Sequence, residues 1–233
     1  MSYGAFIQLD NGNSFVTPDS APIRLKGYYD FPSVASGASH IANGSIAVDT
    51  TKPFIPFCCC LTTSLSNLPV QTCVYGFSVA SNNAVNVSAF GYSGNNTRGF
   101  TLRVFMFTQE AQPYPEGDYG MAIFNADGEL ILTNKDRVLT DVISVGGGSS
   151  MPDITMAGRW AVVPSLLGML QYYVAGGGPG GAVFSVPAAY GTIYNGSSTR
   201  ITGGTTTAPP SNQVTGSALI GRKTAAINID NYM

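Results

Sequence analysis

The chain is predicted to be all-β, built as two antiparallel β-sandwich-like modules with short strands and Gly/Pro-rich loops. Three observations predict this. Short runs of Val, Ile, Phe, Tyr and Thr alternate with Gly, Pro, Asn and Ser clusters throughout the 233 residues. Apolar residues nowhere recur at helical spacing for more than about two turns. A hairpin-like motif near the start returns 116 positions later.

Taken in order, the first long strand is expected at Ile23–Phe31. In Ala84–Tyr92, Val85, Val87 and Ala89 face one way and Asn86, Ser88 and Phe90 the other, which is a half-buried strand. Gly99–Phe107 sets Leu102, Val104 and Met106 against Arg103, Phe105 and Phe107, so cover is expected on both faces. Tyr119–Phe124 and Glu129–Thr133 read as a strand pair, Ala182–Phe184 starts a strand, and Thr224–Asp230 is the last one. Pro164–Leu170 is expected to make one helical turn at most.

The repeated motif sets the division of the chain. Tyr3-Gly4-Ala5-Phe6-Ile7, Asp10-Asn11-Gly12 and Phe15-Val16-Thr17 are echoed by Tyr119-Gly120-Met121-Ala122-Ile123, Ala126-Asp127-Gly128 and Ile131-Leu132-Thr133. Each copy reads as an apolar strand, a turn that needs positive φ at its glycine, and a return strand. Gly12 and Gly128 are therefore expected at equivalent turn positions. Two related modules follow, residues 1–112 and 113–233, joined by Gln112-Pro113-Tyr114-Pro115-Glu116-Gly117, where prolines and a glycine stop any ladder.

Composition excludes several function classes. Only 10% of residues are charged and the net charge is -2, where an ordinary domain carries about 25% charged residues. The eleven Lys and Arg form no stripe that could neutralise a row of phosphates, so nucleic acid is not an expected partner. No apolar run approaches the roughly 18 residues of a membrane span. The start, Met1-Ser2-Tyr3-Gly4, has no basic or apolar leader, so synthesis in a cytoplasm without a signal peptide is expected. The Asn-x-Ser/Thr triplets at Asn43, Asn86, Asn95 and Asn195 are then turn and strand residues, not glycosylation sites. A surface of Ser, Thr, Asn and Gly suits a protein covered by other subunits better than a free monomer kept soluble by charge.

Candidate chemistry is sparse. Cys58, Cys59 and Cys60 alternate faces on a strand and, with Cys73, read as small buried apolar groups; His40 is the single histidine, so no metal ligand set is expected. No cofactor is expected either. His40 sits in a loop-like setting without a nucleophile elbow. Glu116, Asp118, Asp127, Glu129, Asp136 and Asp141 read as turn or edge residues, leaving a glycan hydrolase carboxylate pair as the lesser alternative. No catalytic residue is assigned. Partner contacts are placed on the glycine-rich loops Gly146-Gly147-Gly148 and Gly176-Gly177-Gly178 with Gly180-Gly181, and on Trp160 beside Arg159. A third loop of this kind runs over 203–212. None has the Lys-Ser/Thr ending and following helix of a phosphate cradle. Of the adjacent pairs Tyr28/Tyr29 and Tyr172/Tyr173, one member each should face outward.

In Tyr3-Gly4, in Tyr119-Gly120-Met121-Ala122-Ile123-Phe124-Asn125-Ala126-Asp127-Gly128 and in Ile227-Asn228-Ile229-Asp230-Asn231-Tyr232, the chain resembles tail-tip and tail-fibre-associated structural proteins of long-tailed bacteriophages. The resemblance implies a virion protein of the tail, non-enzymatic and present in several copies, with other phage tail proteins as partners. It transfers no catalytic residues. An alternative reading is a host-receptor-binding adhesin that uses the glycine-rich loops.

Overall fold

The computed structural model describes residues 22–61, 72–80 (72–75 as backbone only), 83–92, 99–111, 120–125, 127–176, 180–211 and 213–233, and the backbone of 7–8 and 14–16. It is all-β and antiparallel almost throughout. The first half carries β1 (Ile7–Gln8), β2 (Ser14–Val16), β3 (Arg24–Pro32), β4 (Val34–Ser36), β5 (Ser39–Ala47), β6 (Phe54–Leu61), β7 (Thr72–Ala80), β8 (Ala84–Tyr92) and β9 (Thr101–Thr108). The second carries β10 (Ala122–Phe124), β11 (Leu130–Thr133), β12 (Ile143–Gly146), β13 (Asp153–Ala157), β14 (Trp160–Val162), β15 (Leu166–Val174), β16 (Ala182–Tyr194), β17 (Ser198–Thr205), β18 (Val214–Leu219) and β19 (Lys223–Asn228). A 3-10 turn, Ile229–Tyr232, follows β19, its first turn capped by the Asn228 side chain accepting the Asp230 N–H. Among the described residues no helix is long and apolar enough to cross a membrane.

The largest sheet has 11 strands in two arms. One arm runs β3-β9-β6-β14-β19-β12 and the other β13-β17-β16-β15-β18; they meet where Tyr194 of β16 bridges Leu61 of β6. The sheet therefore continues across the expected boundary at residues 112 and 113. The linker Gln112–Gly117 lies outside the described residues. A separate four-stranded sheet, β4-β5-β8-β7, covers one side of this sheet, with β7 lying against β16 and β17.

Strands β6 and β9 pair along their whole length and are apolar on both faces. Cys58, Cys60, Leu102, Val104 and Met106 point into a core shared with Ile46, Val85, Val87, Ala89, Tyr190 and Ile201. Phe57, Cys59, Phe105 and Phe107 point into a second core closed by Ile227, Ile229 and Tyr232. The alternation predicted for the cysteines and for 101–107 is what the two cores show. Pro56 fits in this strand because residues 56, 58 and 60 turn their backbone nitrogens away from β9. On that side Cys58 is the residue that pairs with β14, and the Cys60 N–H donates to Thr192 Oγ1.

The echo is also an echo of backbone pairing. Ile7 pairs Val16 and Gln8 pairs Ser14, with the register shifting between Ile7 and Gln8. Adding 116 to each number gives Ile123 with Leu132 and Phe124 with Leu130, and the shift between Ile123 and Phe124. Gly128 has φ +81°, as its turn requires; Gly12 lies outside the described residues. The Asn125 side chain holds the second turn by accepting from the Asp127 and Glu129 N–H groups.

Two expectations are corrected. Pro164–Leu170 makes no helical turn: β15 begins at Leu166 and is paired on both edges, by β16 and β18, with a bulge closed at Gly168. A Cβ there would meet the Ala218 carbonyl oxygen at 2.1 Å, so the bulge admits only glycine. Asp136 does act in the turn, its carboxylate accepting the Thr133 N–H, but it is not a solvated edge residue. It ion-pairs at 3.0 Å with Arg24, which is 2% exposed and also donates to the carbonyls of Glu110 and Leu130. This cluster holds the β10–β11 hairpin against β3, helped by backbone bonds between Leu25 and Arg137 and between Leu139 and Ile23.

The Arg24 site gives a test. Arg24→Ala strands a partly buried carboxylate and two carbonyls and should cost about 3 kcal/mol. Arg200→Ala breaks a bidentate pair with Asp153 that is largely open to water and should cost under about 1 kcal/mol. Urea unfolding followed by circular dichroism measures both, and equal costs would contradict the packing described.

Candidate functional site

The four-stranded sheet β4-β5-β8-β7 contains no Asp, Glu, Lys or Arg. Its inner face takes Ala42, Ile46, Val85, Val87 and Ala89 to the core, and the Phe31 ring fills the place of a side chain over Gly44. Its outer face is a row of amides and hydroxyls. Asn43 lies opposite Ser88 and Ser45 opposite Asn86, while Gly76 and Ser78 continue the two rows on β7. Between the rows runs an open trough of about 610 Å³. Both edges lack the usual guards of lysine or proline. On β4 Val34 is 71% exposed, and on β7 Phe77 and Val79 are 44% and 55% exposed.

A second concavity, about 280 Å³, opens where β8, β15, β17 and β18 converge. Tyr92, Tyr172, Leu170, Met151 and Pro209 give it aromatic and apolar walls, and Gly203, Gly204, Thr205, Ser211 and Val214 complete it. Among the described residues no charged side chain lines it. Burial raises the pKa of Tyr172, and the neighbouring Tyr92 phenol adds to that.

The glycine-rich loops have their own structural duties. Gly146, Gly147 and Gly148 all have positive φ, and Gly146 and Gly147 lie against the hydroxyl of buried Tyr190. That hydroxyl donates to the Arg222 carbonyl at 2.6 Å and accepts the Gly147 N–H. A Cβ on Gly146 would stand 1.9 Å from the Tyr190 oxygen. Gly176, Gly180 and Gly181 are exposed at the tip of the β15–β16 hairpin, and a Cβ on Gly181 would enter the Tyr173 ring. Gly177 and Gly178 lie outside the described residues. Trp160 is half-buried against the first core, its indole N–H donating to the Ala157 carbonyl at 2.7 Å, and Arg159 pairs with Asp230 at 2.5 Å. These expected partner-binding residues do not converge on one surface element. Sequence reasoning missed both the uncharged sheet and the tyrosine cleft. The first was legible as the charge-free runs 34–47 and 72–92; the second joins residues far apart in the chain.

The remaining candidates are placed as follows. His40 is on β5 and not in a loop, because the turn at Gly37, with φ +59°, is short enough for Ser39 to pair with Ser36. Ser33 Oγ lies 3.4 Å from its Nδ1. Glu129 accepts from the Asn125 amide, and Asp141 is beside Thr140; Glu116 and Asp118 lie outside the described residues. Asn43 and Asn86 are strand residues, and Asn195 is a turn residue accepting from Ser197 and Ser198. Tyr28 is exposed beneath the Arg103 guanidinium, 4.7 Å from its ring centre, and Tyr29 packs inward. Cys58, Cys59 and Cys60 are free and buried, and burial pushes the Cys59 thiol up to about 12 and that of Cys58 well up. Among the described residues no three His, Cys, Asp or Glu side chains cluster as a metal site would need.

No known protein family, curated protein or solved structure matches this chain.

Two tests follow. Gly146→Ala meets both positive φ and the Tyr190 hydroxyl and should cost about 2–4 kcal/mol. Gly148→Ala, with φ +88° but open space around it, should cost only about 1 kcal/mol; adding Tyr190→Phe should relieve part of the first penalty and none of the second. For the cysteines, a raised folded pKa means stability is full below the ordinary thiol value of 9.0 and lost as pH climbs toward about 12. Urea midpoints should therefore fall between these limits. The peptide carrying Cys58–Cys60 should resist a thiol reagent at pH 8 until the protein unfolds, which mass spectrometry of the digest would read.

Proposed function

We propose that this chain is a non-enzymatic structural protein of a bacteriophage tail, assembled in several copies at the tail tip or fibre attachment region. The observation that carries this reading is the charge-free sheet with its amide and hydroxyl outer face and unguarded edges. A free monomer would risk edge-to-edge association through β7 and β4, whereas a protein held among neighbours uses such surfaces for contact. Its uncharged hydrogen-bonding rows suit a neighbour that pays little desolvation cost, as another copy or another tail protein with the same low charge would. The resemblance of the Tyr-Gly hairpins and of the C-terminal segment to tail proteins supports placing that assembly in the tail.

The test combines composition and mass. Purified virions should contain the chain by mass spectrometry, and the recombinant protein should run as an oligomer by size exclusion with light scattering. Replacing Asn43 and Asn86, both exposed on this face, together by lysine should leave circular dichroism unchanged, since exposed substitutions usually stay within about 0.5 kcal/mol. It should also reduce the particle mass. A monomer absent from virions ends the proposal.

A further inference from the structure

The tyrosine-lined cleft contains two hydroxyls with no hydrogen-bond partner among the described residues. Tyr172 is 5% exposed and Thr205 is 9% exposed. Among the described residues neither hydroxyl makes a hydrogen bond to protein, yet every fully enclosed polar side-chain atom there has a partner. The two oxygens must therefore meet the open space of the cleft. Both hydroxyls are thus open to water, and a ligand that displaces that water must offer each a hydrogen bond in its place.

The rest of the lining narrows the ligand. Leu170, Met151 and the tyrosine rings offer apolar and aromatic surface, and the Met151 side chain lies over Gly203. Among the described residues no ammonium, guanidinium or carboxylate faces the cavity, so an ionic ligand would lose its hydration without compensation from them. At about 280 Å³ it falls just below the roughly 300–1,000 Å³ of sites enclosing drug-sized molecules. It accommodates one ring. We propose that the cleft binds a single neutral pyranose unit of a glycan, its C–H face against the tyrosine rings and its hydroxyls on Tyr172 and Thr205. This inference does not depend on the assembly proposed above. A cleft without a carboxylate binds such a sugar without cleaving it by acid–base chemistry.

Saturation-transfer NMR on the full chain, with glucose, galactose and N-acetylglucosamine each at millimolar concentration, tests it. At least one of these sugars should receive saturation on its ring protons, and glucuronate should receive none. Tyr172→Phe keeps the ring and removes the unpaired hydroxyl. It should leave the melting temperature unchanged and weaken binding about three- to tenfold, the usual loss for one neutral hydrogen bond. Val214→Trp, at a half-exposed position on the rim, should block the cleft. Three results would overturn the proposal: no transfer to any neutral sugar, transfer that both variants leave unchanged, or transfer to indole but to no sugar.

Discussion

Phe57 and Cys59 point one way from β6 and Cys58 and Cys60 the other, and on β9 the same is true of Phe105 and Phe107 against Leu102, Val104 and Met106. A pair of strands with this pattern cannot leave either face in water, since each fully buried Phe, Leu or Met side chain is worth about 1.5–3 kcal/mol. The remaining architecture supplies the cover. On one side lie β5 and β8 with the second arm of the large sheet. On the other lie the end of β19 and the 3-10 turn, where Tyr232 meets Phe107 edge-on at 4.9 Å and exchanges hydrogen bonds with the Thr140 backbone. The C-terminal residues are thus part of a core and not a tail.

The few charges are distributed according to this layering. Arg103 sits directly opposite Asp30 on neighbouring strands, and Arg200 reaches diagonally to Asp153. Arg159 joins the loop before β14 to the 3-10 turn through Asp230. All of these lie on the large sheet or its covering turn. The small sheet has no charge, and its solvent face depends on Asn43, Ser45, Asn86 and Ser88. The low overall charge is spread over the whole chain, and the small sheet is the layer in which it falls to zero.

Much of this was legible because strand periodicity reports on faces. The alternation in 84–92 and 101–107 and the opposed cysteines are local consequences of a two-residue repeat, and the structure keeps them. The hairpin echo was legible as a repeated motif, while the register shift that both copies share was not. Partners were not legible. Nothing near Arg24 names Asp136, nothing near Gly146 names Tyr190, and the cleft gathers Tyr92, Tyr172, Thr205 and Val214 from four strands. Pro164–Leu170 misled because a short apolar run after a proline has no period of its own, and pairing with β16 and β18 decided its form.

The Arg24 cluster also imposes an order on the making of this protein. Its guanidinium stands 112 residues from the Asp136 carboxylate and 106 from the Leu130 carbonyl, so while the chain is shorter than that only the Glu110 carbonyl, 86 residues away, is at hand to offset its desolvation. During synthesis β3 has no stable resting place until β10 and β11 have emerged, even though its ladder partner β9 is available earlier. β6 waits longer still for its contacts with β14 and β16. Closing such distant contacts is slow. A nascent chain of this kind spends an extended period with β6, an apolar strand without charge, uncovered on one edge, and the wait is set by ribosome speed as much as by folding.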